Sequence, residues 1–341
     1  MDTALLRRRA EENLRAMELF SRLLSQDGPL FTAGEVDAFA RDCAFPLEEA
    51  YFYLIASACG LEMDRNPEHR SFAARYLSPA LQLRRADGYR DNPYYARVRF
   101  PEVRKNQWEM AHRAYAPYQI FPCGDTVLLP DGREIPPLGY FPERFSYPAI
   151  LENGREWMTV TPNEIETMRG PAERAFGHAA VFGLGLGYYA YLVSQKPGVS
   201  AVTVIERDKD AIALFQEQLL PQFPNREKIR IVQMDAFDYL EGPFGAAGHD
   251  FAFVDLWHDV SDGLPMYLRL RKIEGRFPGI PFQYWIEQSM LIFLRSLFVD
   301  DCLAAAGRLD ACLPPNAEWD ESLSLESIRR LAPRIDPKAL R

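Results

Sequence analysis

The stretch VFGLGLGYYA, Val181 to Ala190, sets three glycines within five residues between a run of small apolar residues and a helical pattern. Glycine serves wherever a backbone turns with positive φ or approaches another group closely, so the loop alone does not separate a ligand cradle from a plain corner. What lies on either side of it decides the fold.

Downstream of the loop the chain alternates regularly. Strand patterns at 178–184 (HAAVFGL), 201–207 (AVTVIER), 229–235 (IRIVQMD), 250–257 (DFAFVDLW) and 281–287 (PFQYWIE) are near-continuously apolar. Helical patterns YYAYLVSQ and DAIALFQEQLLPQF separate the first three, and a shorter polar, glycine-containing segment precedes the fourth. Strands that are apolar on both faces and alternate with helices predict a mostly parallel, doubly wound sheet covered on both sides, a Rossmann-like α/β domain.

Working outward, four segments follow. Residues 1–118 read as a helical N-terminal domain: Leu6, Ala10, Leu14, Met17, Phe20 and Leu24 recur at steps of three or four and predict one buried stripe. Two helices joined through Phe45 and Pro46 come next, and PEVRKNQWEMAHRAYAPY reads as a later helix. Residues 119–160 form a small β-hairpin-rich segment with turn signals at Asp131-Gly132 and Asn153-Gly154. Residues 161–300 carry the Rossmann-like domain, opened by Thr161, Pro162 and Glu164, a capping box with proline at the first helical position. Residues 301–341 read as a helical C-terminal extension.

Composition narrows the function. The 341 residues are 48% hydrophobic and 26% charged, which supports a packed core. A net charge of −9 opposes a nucleic-acid partner held through its phosphates, and Glu48 and Glu49 at the start of the candidate recognition helix oppose a helix-turn-helix reading. The N-terminus reads as a charged amphipathic helix rather than a signal peptide, and no apolar run is long enough for a membrane span, so a cytoplasmic protein is expected. The five cysteines, Cys43, Cys59, Cys123, Cys302 and Cys312, lack disulfide or zinc spacing, so no metal site is expected.

In a doubly wound sheet, ligands bind outside the carboxyl ends of the strands. The first strand ends in Gly183, Gly185 and Gly187 before a helix N-terminus; the second in Glu206, about twenty residues on, where an acid meets ribose hydroxyls in such folds. The third ends in Asp235, with Ala236 and Phe237 behind it, and the fourth in Asp255, followed by Leu256, Trp257, His258 and Asp259. GLGYYA satisfies the G-x-G-x-x-A dinucleotide fingerprint as well. The third strand favours an adenosine ligand instead: an acid for the adenine amino group, a small residue and a stacking aromatic, with no second mononucleotide half.

VFGLGLG, TVIERD, IVQMDAFDYL and DFAFVDLW, in that order and spacing, resemble the motifs of class I methyltransferases that use S-adenosylmethionine (SAM), including their spermidine-synthase-like relatives, over residues 160–290. The resemblance implies SAM as cofactor, with Gly183, Gly185 and Gly187 beside methionine and ribose, Glu206 on the ribose hydroxyls, Asp235 and Ala236 on adenine, and Asp255 beside the reactive centre. It departs from the family in a tail that reads as helical where the sheet usually finishes with an antiparallel hairpin, and in lacking the Asn/Asp-Pro-Pro-Tyr run of amino-methylating enzymes.

Asp255, His258 and Asp259 are the candidates for handling an acceptor, as proton acceptors or orienting groups. Each site residue also has a structural alternative: a ligand-free turn for the glycines, solvated strand ends for Glu206 and Asp235, a helix cap for Asp255, and an ordinary surface or packed histidine for His258. The expected activity is methyl transfer to a small-molecule acceptor. Aminopropyl transfer and non-catalytic SAM binding stand as alternatives, and the helical N-terminal domain is a candidate homo-oligomer contact.

Overall fold

The computed structural model describes residues 3–306 and 323–337, and the chain divides into two compact units. One unit comprises Met1–Ala86, Ala114–Phe145 and Gln288–Arg330; the other comprises Asp87–Arg113, Ser146–Glu287 and Leu331–Arg341. Compactness therefore cuts across the linear order of segments, dividing the hairpin-rich stretch between Phe145 and Ser146. Within the extension 301–341, residues 307–322 and 338–341, Cys312 among them, lie outside the described residues, as does the Cys302 side chain.

The first unit is built on helices Thr3–Leu24, Ala33–Cys43 and Leu47–Ala58. The second of these starts at a capping box in which Thr32 and Glu35 exchange side-chain and backbone bonds, and ends at Ala44 in the left-handed region, φ 56°. Its core gathers Ala16, Phe20, Leu23, Val36, Tyr51, Ile55, Tyr76, Leu138 and Tyr140. The buried stripe of the first helix differs from the sequence expectation. Leu14 is 63% exposed, and Met17 and Leu24 are exposed too, whereas Asn13, Ala16, Leu19 and Leu23 turn inward beside Leu6 and Phe20. A polar residue fixes this rotation: buried Asn13 donates to the Gly132 carbonyl and accepts from the Tyr76 hydroxyl, which an outward Asn13 would forfeit. The Asp131-Gly132 turn forms, with Gly132 at φ +81°, between strands Val127–Leu128 and Glu134–Ile135.

The second unit contains a five-stranded sheet of β1 (Gly177–Phe182), β2 (Val199–Glu206), β3 (Ile229–Gln233), β4 (Phe251–Val254) and β5 (Phe282–Tyr284). The spatial order is β3-β2-β1-β4-β5, and every pairing is parallel. Residues 179–182 of β1 and all of β4 are buried at every position, the mark of a sheet covered on both faces. Fully buried Phe182 and Phe253 each contribute about 1.5–3 kcal/mol of apolar burial. After β5 the chain enters helix Glu287–Ala306, and no antiparallel strand closes this sheet among the described residues.

Two local expectations are corrected. The stretch from Pro101 to Tyr118 is no helix but a β-hairpin, Val103–Lys105 against Trp108–Tyr115. Asn106 adopts the left-handed conformation, φ 54°, at the turn, and Trp108 and Met110 are buried two residues apart, a period of two rather than 3.6. The polar segment before β4 holds helix Ala236–Glu241. The Asn153-Gly154 turn joins Phe145–Glu152 to Arg155–Thr159, with both residues at positive φ (51° and 82°), as a two-residue hairpin loop demands. No helix among the described residues is long and apolar enough to cross a membrane.

Two of the three loop glycines are required by sterics. A Cβ on Gly183, at φ +97°, would overlap the Asp255 carbonyl oxygen, and one on Gly187, at φ +71°, would overlap the Phe215 ring. Gly183→Ala is therefore expected to destabilise the chain by about 2–4 kcal/mol, whereas Gly198→Ala, where an added Cβ meets nothing within 4 Å, should stay near wild type; urea unfolding of both variants checks the difference.

Candidate functional site

The register places five strand ends on one line. Phe182 is level with Ile205 and Val254, Glu206 with Gln233, and Val254 with Tyr284. The next residue of each strand thus reaches the carboxyl edge together with its neighbours, beside the point where the chain reverses direction across the sheet between β1 and β4. A cavity of about 490 Å³ opens there. Its walls include Gly183 and Gly185, Glu206, Asp235 and Ala236, Asp255 and His258. Two of the sequence-derived candidates stand outside this lining, Gly187 and Asp259.

Glu206 is held from two sides. Its Oε2 accepts from the Leu184 amide at 3.2 Å and its Oε1 from the Asp208 amide at 2.9 Å, fixing the carboxylate against the glycine loop while each oxygen retains a further lone pair. Asp235 caps helix Ala236–Glu241: its Oδ1 accepts from Phe237 at 2.8 Å and Asp238 at 3.3 Å, so the cap engages one oxygen of a carboxylate that also lines the cavity.

Asp255 follows β4 and is half-buried against the cavity. Removal from bulk water, reinforced by the nearby Glu164 carboxyl, pushes its pKa from 3.8 up to about 8. Glu164 is the residue that sequence reasoning assigned to capping alone. It does cap: Thr161 donates its amide, at 2.8 Å, and its hydroxyl to Glu164 Oε2. It also lines the cavity, and burial raises its pKa despite those bonds. Because the Thr-Pro-x-Glu spacing is fully accounted for by the cap, nothing in the sequence marks this second placement.

His258 lies exposed at the rim, its Nδ1 3.0 Å from Asp262 Oδ2 and its ring edge-on to Trp157 at 4.4 Å between centroids. Partial burial works against Asp262, but amide donors from Asp259 and His258 and the His258 ring hold its carboxyl below the usual range. Asp259 serves a different purpose. It is the N-cap of helix Val260–Glu274, accepting from Ser261 at 2.7 Å in a reciprocal box with Asp262. Further wall residues were not read from sequence: the strand residues Glu156 to Thr159, with Met168, Met266 and Trp285. They come from elements far apart in the chain.

No protein-family model matches this chain, and no curated protein matches its sequence. Among solved structures, a Streptococcus mutans protein classed as a SAM-dependent methyltransferase is 17% identical, over 40% of this chain and 36% of that one, with a TM-score of 0.31. Spermidine synthase of Thermotoga maritima is 12% identical over 46% of this chain and 60% of its own, TM-score 0.31. Shikimate dehydrogenase of Mycobacterium tuberculosis is 14% identical over 58% and 67%, TM-score 0.25. The chain spans from about a third to two thirds of these structures, and likeness this distant carries no weight for ligand or reaction.

The Asp255 carboxyl titrates above its unfolded value, so between about pH 4 and pH 8 the native state keeps a proton that the unfolded chain has released. Its contribution is fully present below that window and is lost as pH rises through it. The melting temperature is expected to fall more steeply for wild type than for Asp255→Asn between pH 5 and pH 9, as differential scanning fluorimetry across that range would reveal. Asp259→Ala, by contrast, should lower stability by about 1 kcal/mol through loss of the cap while leaving affinity for ligands of the cavity within twofold, read by chemical denaturation and calorimetry.

Proposed function

We propose that this chain binds SAM at the strand-end cavity and transfers its methyl group to a small-molecule acceptor. The observation that carries the reading is the convergence of Gly183, Glu206, Asp235 and Asp255, from four successive strand ends, on one cavity. A volume of about 490 Å³ sits within the span of about 300–1,000 Å³ usual for small-molecule sites. Glu206 and Asp235, on neighbouring strands, supply carboxylate acceptors for paired ribose hydroxyls and for an adenine amino group. Ala236 and Phe237 offer a close approach and an aromatic face beside them.

Bound SAM would supply a methyl carbon already activated on a sulfonium, so the demands on the protein are alignment, exclusion of water and removal of a proton from the acceptor. Once ionised, above about pH 8 in the free chain, Asp255 is the group placed to take that proton, and Met158, Met168 and Trp285 line the same cavity. A second reading, aminopropyl transfer, draws on the acidic lining and would release methylthioadenosine in place of S-adenosylhomocysteine.

Isothermal titration calorimetry with S-adenosylhomocysteine tests the assignment. Wild type should bind, and Glu206→Ala should lose about tenfold or more in affinity, as expected for hydrogen bonds to a charged group, with folding of the variant confirmed by circular dichroism. Unaltered affinity in Glu206→Ala, or a wild type indifferent to both SAM and S-adenosylhomocysteine, would remove the proposal.

A further inference from the structure

The charges around the cavity are lopsided. Its described lining holds six carboxyl groups, Glu156, Glu164, Glu206, Asp235, Asp255 and Asp262, against one guanidinium, that of Arg207, which is exposed. Four of the six have other tasks. Glu206 and Asp235 face the nucleoside in the reading above; Asp262 is engaged by His258, and Glu156 is exposed and accepts from the Tyr147 hydroxyl. Asp255 accepts no side-chain hydrogen bond among the described residues, and Glu164, whose Oε2 is engaged by the Thr161 cap, stands in the same wall. Around them the surface is apolar and aromatic: Met168, Tyr188, Tyr189, Met266 and Trp285.

An anionic acceptor would meet only the exposed Arg207 guanidinium as a counter-charge in the described lining, and a neutral one would leave the raised pKa of the Asp255 and Glu164 carboxyls uncompensated in a poorly solvated space. A cation relieves both. Resting on the SAM reading, we infer that the acceptor is an amine, bound as its ammonium ion between Asp255 and Glu164 with an apolar stem against the Met168–Trp285 wall. On binding, the ammonium ion displaces the proton held by the Asp255 carboxyl to solvent, and in the transfer step one ammonium proton passes to the resulting carboxylate. The freed nitrogen lone pair forms the N–C bond as the C–S bond breaks, its electron pair returning to sulfur as a neutral thioether. The product leaves as an alkylated ammonium ion.

The test uses full-length chain saturated with S-adenosylhomocysteine. Three matched sets of probes are titrated by calorimetry: hexylamine, hexanol and hexanoate; 2-phenylethylamine with its alcohol and acid; tryptamine with tryptophol and indole-3-acetate. Within at least one set the amine should bind about tenfold or more tighter than its neutral and anionic counterparts, and Asp255→Asn should abolish that preference. Should Asp255→Asn also lose S-adenosylhomocysteine, Glu164→Gln, which keeps the helix cap, decides instead. A preference for alcohol or acid, no discrimination by head-group charge in any set, or an amine preference untouched in the deciding variant would overturn the inference. Failure of the SAM reading is distinct, because it appears as absent S-adenosylhomocysteine binding before any probe is added.

Discussion

The architecture of the site depends on one close approach, the backbone of Gly183 against the carbonyl of Asp255. β1 and β4 are adjacent and in register, and a side chain at the first residue beyond β1 would force the two strand ends apart. With a hydrogen at that position, the Asp255 amide still reaches the Phe182 carbonyl at 2.9 Å and the Gly183 amide reaches Ile205 at 3.0 Å. The ladder thus continues one residue past the strands on both sides. That extra rung delivers Glu206 and Asp255 to the same edge and lets the glycine loop lie between them.

Much of this was legible because parallel strands covered on both faces leave a strong trace: apolar runs in β1, β2 and β4, with glycines after the first and carboxylates at the ends of the other two. All five strands formed where the runs stood, and the Thr161 capping box and both hairpin turns followed from residue chemistry that is local. Misreadings arose where local preference and packing disagree. In the stretch around Trp108 the residue types suit a helix, yet tertiary pairing with Val103–Lys105 made the alternate burial of Trp108 and Met110 decisive. On helix Thr3–Leu24 the apolar residues alone suggested one face, and a single buried asparagine with partners more than sixty and more than a hundred residues away selected another.

The site divides along the same line. Residues at strand ends could be read, because their position follows from the sheet. The walls formed by Trp157, Met168, Met266 and Trp285 could not, since these residues meet through folding rather than through any spacing in the chain. Glu164 is the instructive case, for its sequence context is satisfied by capping and its second placement, near Asp255, exists in three dimensions alone.

The anchoring of Glu206 has a thermodynamic consequence. Amide donors from Leu184 and Asp208 immobilise its carboxylate within the protein's own framework. A hydrogen-bond donor arriving at this edge therefore meets acceptors whose rotamer freedom was surrendered during folding, and the entropy of ordering that side chain is absent from the association step. Preorganisation of this kind strengthens association without enlarging the contact surface.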